Sequence, residues 1–169
     1  VIKKDLEAIR KEFALERKTI IEDGKEAVYE EEALVEQEVV FTMDRFGYAK
    51  TLDVSIYERN QETVDNESKY VFRCMNTDRI CLFTDTGVLH QVKILDIPAG
   101  KLRDKGQPID NLGNYSSSGE RIAGIMPSGW LKGKKLFFVT EQGMVKQVDA
   151  AEFDVIRKTV VATKLAEND

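Results

Sequence analysis

The sequence has a single histidine, His90, and only two cysteines, Cys74 and Cys81, among 169 residues. The cysteines form no CxxC pair, and one histidine cannot complete a set of nitrogen and sulfur ligands, so a zinc site is not expected. In a reducing compartment both cysteines are expected to be small apolar core residues rather than redox groups. Nowhere does an apolar run reach the roughly eighteen residues of a membrane-spanning helix. The opening VIKKDLEAIRKEF also lacks the uninterrupted apolar stretch of a secretory signal, so the chain reads as cytoplasmic. GxSxG, Walker and HExxH patterns are missing, which leaves no catalytic constellation to expect in this stretch.

What is present is a hydrophobic content of 42%, enough for one ordinary core or for part of a repeating array. A net charge of −5 and an isoelectric point near 5.1 argue against a nucleic-acid partner at first sight. The charge is unevenly spread. Residues 1–38 hold 7 Lys/Arg against 12 Asp/Glu, residues 39–78 hold 5 against 7, and residues 79–164 hold 13 against 9. By composition alone, the later basic excess reads as a solvated surface.

The first twenty residues place Ile2, Leu6, Ile9 and Phe13 at spacings of four, three and four, the apolar stripe of an amphipathic helix. No N-cap residue precedes it, so the expectation is a fragment that begins inside a longer helix. The following segment is acidic, with a turn at Asp23-Gly24, and is expected to be a linker with a short strand at Thr19–Ile21. From Val39 the texture changes to short β-branched and aromatic runs broken by glycine. Aligned on Gly47, Gly87 and Gly143, these give VFTMDRFGYAKTLD, ICLFTDTGVLHQVK and LFFVTEQGMVKQVD. Each reads as a β-hairpin whose glycine supplies the positive φ of the turn. The glycines are separated by propeller-blade periods, so blades of antiparallel strands are expected, with a closed barrel as the alternative. Phe41, Phe83, Phe137 and Phe138, in the strands before the glycines, are expected to be core. Trp130 reads either as packing on the turn of Pro127–Gly129 or as an interface residue.

Taken in order, several segments resemble the C-terminal region of the A subunit of bacterial type IIA DNA topoisomerases, gyrase and topoisomerase IV. IKKDLEAIRKEFALERKT is similar to the last helix of that subunit's coiled-coil arm. FGYAKTL and FTDTGVLHQVKILDIP are similar to its first repeat hairpins, and KGQPIDNL followed by GERI to its inter-blade segment, with RKTVVATKL opening the next. The resemblance implies a mainly β fold: a partial β-pinwheel, propeller-like, behind an N-terminal amphipathic helix. The expected organisation is the end of the coiled-coil helix at 1–18, an acidic linker at 19–38 and pinwheel at 39–169, with hairpins at 39–53, 80–93 and 136–149. It implies an ATP-hydrolysing parent enzyme whose ATP and Mg are used elsewhere, with no cofactor in this stretch. None of Tyr29, Tyr48, Tyr57, Tyr70 or Tyr115 is assigned to catalysis. The implied partners are double-stranded DNA, a second copy of the A subunit, and the ATPase B subunit, in the cytoplasm at the nucleoid and away from membrane.

The family's gyrase box, Gln-Arg-Arg-Gly-Gly-Arg/Lys-Gly, follows the first hairpin. Fourteen residues beyond each hairpin glycine stand Gln61, Lys101 and Arg157, opening QETVDNESKYV, KLRDKGQPIDN and RKTVVATKLAE. The first keeps only the glutamine and places Glu62, Asp65 and Glu67 where the box has arginine and glycine. Those carboxylates repel phosphate, which points to relaxing or decatenating chemistry in the parent rather than supercoiling; a gyrase with a degenerate box is the alternative. Lys101, Arg103, Lys105, Arg157, Lys158 and Lys164, with Lys50 and Lys146 three residues after two of the glycines, form the candidate phosphate-binding set. Lys132, Lys134 and Lys135 are evenly balanced between contact and solvation. A propeller-like protein-interaction module without DNA binding is the rival of another class.

Overall fold

The three glycine-centred repeats each fold into a tight antiparallel hairpin. The computed structural model describes residues 2–15 and 35–166. It divides into a unit of residues 1–34 and a unit of residues 35–169. In the first, α1 spans Ile2–Phe13 and carries Ile2, Leu6, Ile9 and Phe13 along one exposed face. The expected linker turn and the strand at Thr19–Ile21 lie outside the described residues. Among the described residues no helix is long and apolar enough to cross a membrane.

The second unit runs β1 (Glu38–Asp44), β2 (Tyr48–Asp53), α2 (Val54–Arg59), α3 (Gln61–Glu67), β3 (Ser68–Met75), β4 (Arg79–Thr84) and β5 (Val88–Lys93). It continues with β6 (Gln107–Pro108), β7 (Ile122–Pro127), β8 (Lys135–Val139), β9 (Val145–Asp149) and β10 (Thr159–Val161), with 3-10 turns between. Two four-stranded antiparallel sheets, ordered β3-β1-β2-β6 and β7-β4-β5-β10, are followed by the hairpin β8-β9. The fold is mainly β and blade-like, as the repeats imply. In each blade the hairpin is central, and the fourth strand arrives from beyond the next hairpin: β6 follows β5 but pairs with β2, and β10 follows β9 but pairs with β5. Successive blades are thereby stitched together.

The turns explain the glycines. Each closes with a hydrogen bond from the glycine N–H to the carbonyl three residues earlier: Gly47 to Asp44 at 3.3 Å, Gly87 to Thr84 at 3.1 Å and Gly143 to Thr140 at 3.0 Å. This three-residue loop needs a left-handed residue at its last position. Gly87 has φ +76°, and a Cβ there would lie 2.4 Å from the Thr163 carbonyl oxygen, so backbone conformation and close approach both demand glycine.

Alternation along the strands then decides the packing. Phe41, Met43 and Ala49 leave one face of the first sheet and meet Ile80, Leu82 and Val92 of the second in one core. The other face of the second sheet presents Cys81, Phe83 and Leu89, which pack with Leu136, Phe138 and Val148 of the third hairpin. Val40 and Leu52, on the outer face of the first sheet, are covered by Tyr57 of α2 and Val64 of α3. Both cysteines are free and buried, and burial first of all pushes the Cys74 thiol up to about 11 and the Cys81 thiol up to about 12, so both stay protonated. Trp130 packs edge-on against Phe72, ring centres 5.2 Å apart, and ties the turn after β7 to β3.

One expected core residue is corrected. Phe137 is 65% exposed, and so are its neighbours Val139 at 70% and Val145 at 64%. They hold the places of Cys81, Phe83 and Leu89, six and four residues before the glycine and two after, on the face of the third hairpin that no described residue covers. Period-two alternation turns Phe138 inward and must turn Phe137 outward. The contrast is measurable by thermal or denaturant unfolding of the two variants. Leu82→Ala is expected to cost about 2–5 kcal/mol of stability, because a fully buried side chain leaves a cavity between blades. Phe137→Ala is expected to stay within about 0.5 kcal/mol.

Candidate nucleic-acid interface

The candidate cations sit where the fourth strands join their blades. In the first blade Ala49 faces Gln107, and in the second Leu89 faces Val160. Ala49 and Leu89 each stand two residues after their glycine, so Gln107 and Val160 are equivalent, and Lys105 matches Lys158. Counting fourteen residues from the glycine pairs Lys101 with Arg157 instead; by ladder register Arg157 corresponds to Asp104. The difference is an excursion. Thr51 donates to the Pro98 carbonyl at 3.0 Å, Gly100 N–H donates to the Thr51 carbonyl at 2.9 Å, and the chain turns through Lys101–Asp104 before returning at Gly106. In the second blade Gln91 N–H donates straight to the Lys158 carbonyl at 2.8 Å, with no such loop. Lys101, Arg103 and Lys105 therefore project on a loop at the edge of the first blade, and Arg157 and Lys158 on a tighter turn at the same edge of the second. All five are exposed, as is Lys164 just past β10.

Within the loop, Asp104 N–H donates to the Lys101 carbonyl at 3.0 Å, and Lys101 N–H donates to Asp104 Oδ2 at 2.7 Å. The Lys105 ammonium lies 4.2 Å from the centre of the Tyr48 ring, a cation–π contact that holds it near the hairpin. The Lys101, Arg103, Arg157, Lys158 and Lys164 side chains have no ion pair among the described residues.

Lys50 has a different job. Its Nζ donates to the carbonyls of Leu102 at 2.8 Å, Asp104 at 2.7 Å and Lys101 at 3.3 Å, so the ammonium is committed to shaping the loop. The same position after each glycine repeats the theme. Lys146 Nζ donates to the Ala162 carbonyl at 3.3 Å, and His90 contacts Thr159 Oγ1 at 3.4 Å through Nδ1. Three hairpins thus use a nitrogen-bearing side chain at this point to hold chain that arrives from further along.

The first of the three segments compared in the sequence is not a loop. Gln61 opens α3, and residues 54–67 are the two helices that cover the first blade. Glu58 pairs with Arg73 at 3.0 Å, and Asp65 accepts from the Tyr57 hydroxyl at 3.0 Å, while Glu62 and Glu67 are exposed. This segment is an acidic cover, and the cations lie on the loops that lead into β6 and β10.

Beside the second blade, His90 is buried with its Nε2 at 2.9 Å from Glu120 Oε2, and the Tyr115 hydroxyl donates to the Glu120 carbonyl at 3.2 Å. Desolvation alone would raise the Glu120 carboxyl, but hydrogen bonds from the His90 ring and the Thr84 and Thr86 hydroxyls outweigh it and leave the group below its ordinary value. The residue reads as a clasp between strand and loop. Sequence reasoning missed Arg45, Phe46, Lys69 and Arg121, which flank the first hairpin tip. The one available signal was the phenylalanine before Gly47, where the other hairpins have Thr86 and Gln142.

Stitched blades with cations along one edge define a partial pinwheel-type module. Relatives and solved structures place it further. No protein-family model matches the chain. The chain is 32% identical to the DNA gyrase A subunit of Campylobacter jejuni over 181 aligned residues, covering 100% of this chain and 21% of that protein. It is 32% identical over 183 residues to the DNA gyrase A subunit of Streptococcus pyogenes, covering 100% of the chain and 22% of the relative. The C-terminal domain of DNA topoisomerase IV superposes with a TM-score of 0.62 at 22% identity, over 74% of this chain and 40% of that one. The E. coli ParC C-terminal domain gives 0.59 at 14% identity, over 78% and 53%. The chain is therefore similar throughout to the A subunits of type II topoisomerases and has the fold of their C-terminal domain. It spans about a fifth of the length of the curated relatives it matches.

Two outcomes test the local chemistry. Lys50→Met is expected to cost about 1.5–3 kcal/mol, because three carbonyls lose a charged donor. Trypsin should then cut faster after Lys101, Arg103 and Lys105, as followed by mass spectrometry of timed digests. For Glu120, a folded-state pKa below the ordinary 4.5 means that the ionised form stabilises the fold above that value, and that this stabilisation is lost as pH falls through the depressed pKa. The gap in melting temperature between wild type and Glu120→Gln should accordingly be widest above pH 4.5 and close towards acid. A gap independent of pH would mean that the carboxylate charge is not what matters.

Proposed function

We propose that this chain is the DNA-capturing and DNA-bending segment of the A subunit of a type II topoisomerase. The observation that carries the reading is that cation-bearing loops return to the same edge of successive blades, Lys101, Arg103 and Lys105 on one and Arg157 and Lys158 on the next. Blades stack at roughly the 10 Å separation of packed sheets. Cations repeated at that interval meet a phosphate backbone without reading bases, so affinity is electrostatic and any sequence preference reflects how easily the duplex bends. Lys164 extends the same run, and Lys146 joins it while holding the Ala162 carbonyl. Lys50 acts through the loop it shapes. The parent would work as a dimer of A subunits with ATPase B subunits, in the cytoplasm at the nucleoid, with ATP and Mg used outside this segment.

The parent's chemistry is the finer part of the proposal. Residues 61–67, in the slot compared with the gyrase box, form an acidic helical cover together with residues 54–59, with Glu62 and Glu67 exposed. Such a surface disfavours a duplex passing over these two helices and favours relaxation or decatenation over chiral wrapping. The curated relatives, which are gyrase A subunits, support the second reading, a gyrase whose box has degenerated.

A salt titration of duplex binding tests the main reading. Affinity is expected to fall linearly in log–log form with a slope of about −0.9 per phosphate contact. Charge reversal at Lys101, Arg103 and Arg157 should weaken all sequences alike and reduce the slope by about one per contact removed. Absence of binding even at low salt would instead favour a protein-interaction module. Closing a nicked circle with ligase in the presence of the chain separates the two parents. An unchanged linking number fits relaxation, and a shift of constant sign fits wrapping.

A further inference from the structure

The tip of the first hairpin carries a feature that the edge loops do not explain: Phe46 is 84% exposed. Its backbone is firmly held. Asp44 Oδ1 accepts from the N–H groups of Phe46 at 2.8 Å and Tyr48 at 2.9 Å, and Ile109 N–H donates to the Gly47 carbonyl at 2.8 Å. The ring thus stands out from an anchored turn, in a position where the other two hairpins have polar residues.

Two concavities meet at the tip, with Asp44 lining both and Phe46 the second. One contains Tyr48, Arg103 and Lys105, and the other Arg45, Lys69 and Arg121. None of these five cations has a carboxylate partner among the described residues. The hollows also hold carboxylates, which keep their charge: Asp44, Asp110 and Glu120 are half-buried and turned to internal donors, Glu67 and Asp104 are exposed, and all five cations are exposed. A stable protein interface of ordinary size would need a contiguous patch of about 800 Å² per partner with an apolar centre. Here the apolar surface is one ring at the hairpin tip, beside hollows whose exposed charges are mainly cationic. That profile complements the minor groove of a duplex, where an apolar wedge enters between base steps while cations on both sides meet the flanking phosphates.

We propose that Phe46 is a wedge that inserts into the minor groove of a duplex held along the edge loops, unstacking one step and setting the bend. This rests on the DNA-binding reading above. Through Tyr48, which lies against Lys105, the wedge is continuous with the loop at Lys101–Lys105. The acidic first blade thereby contributes at its tip rather than through residues 54–67.

The test uses the whole chain with an end-labelled duplex of alternating TA steps that carries 2-aminopurine. Wild type is expected to raise 2-aminopurine emission and to shorten the end-to-end distance read by energy transfer. Phe46→Ala should remove both signals and weaken binding roughly tenfold, while Phe46→Trp restores them. The salt slope of Phe46→Ala should match wild type, because no phosphate contact is lost, and its melting temperature should be unchanged. No binding by wild type at low salt overturns the DNA reading itself. Salt-dependent binding in which Phe46→Ala bends and unstacks as wild type does overturns the wedge alone.

Discussion

The structure depends on sheets that are apolar on both faces. A strand alternates its side chains between two sides, and in each hairpin both sides are hydrophobic, so no blade can satisfy itself. Ile80 and Leu82 must find the first blade while Cys81 and Phe83 must find the third. Stacking is the only arrangement that buries both sets at once. The first blade has no described blade on its outer side, and Tyr57 and Val64 of two short helices take that role over Val40 and Leu52. Residues 54–67 put Tyr57 and Val64 on the sheet and leave Glu58, Glu62, Asp65 and Glu67 exposed.

From this constraint follows the placement of charge. Each of the two four-stranded blades is completed by a strand that arrives after the next hairpin, and the incoming segment must cross from one blade to its neighbour at the sheet edge. Each crossing begins with buried apolar residues, Ile94 and Ile97 in the first and Ala150 and Phe153 in the second, and turns exposed and basic just before the fourth strand, at Lys101, Arg103 and Lys105 and at Arg157 and Lys158. Their anchors are built into the preceding blade: Lys50 holds three carbonyls of the first crossing, His90 touches Thr159 in the second and Lys146 reaches Ala162. The surface proposed to meet DNA is therefore a by-product of the stitching. Its spacing is inherited from the blade repeat.

Much of this could be read from residues. The hairpin glycines, the amphipathic helix and the burial of both cysteines follow from local rules of turn geometry, periodicity and polarity. Register between segments did not. Counting from the glycine set Lys101 beside Arg157, whereas the ladder sets Lys105 beside Lys158, because one crossing carries an extra turn that no local signal announces. Phe137 and Phe138 are adjacent and chemically identical, and only the location of the neighbouring blade decides which one is buried.

By itself, the sequence determined the unit: a glycine-closed hairpin, repeated three times, with acid early and base late. That much is set within a dozen residues by backbone sterics and the period of two. Tertiary structure alone decided what each charge does. Lys50 and Lys105 lie near one another in the first blade, yet one ammonium is held by three carbonyls and the other lies over an aromatic ring at the surface. Whether a lysine serves the fold or faces a partner depends on which distant carbonyls come within hydrogen-bond reach, and pairing between residues some fifty positions apart sets that distance.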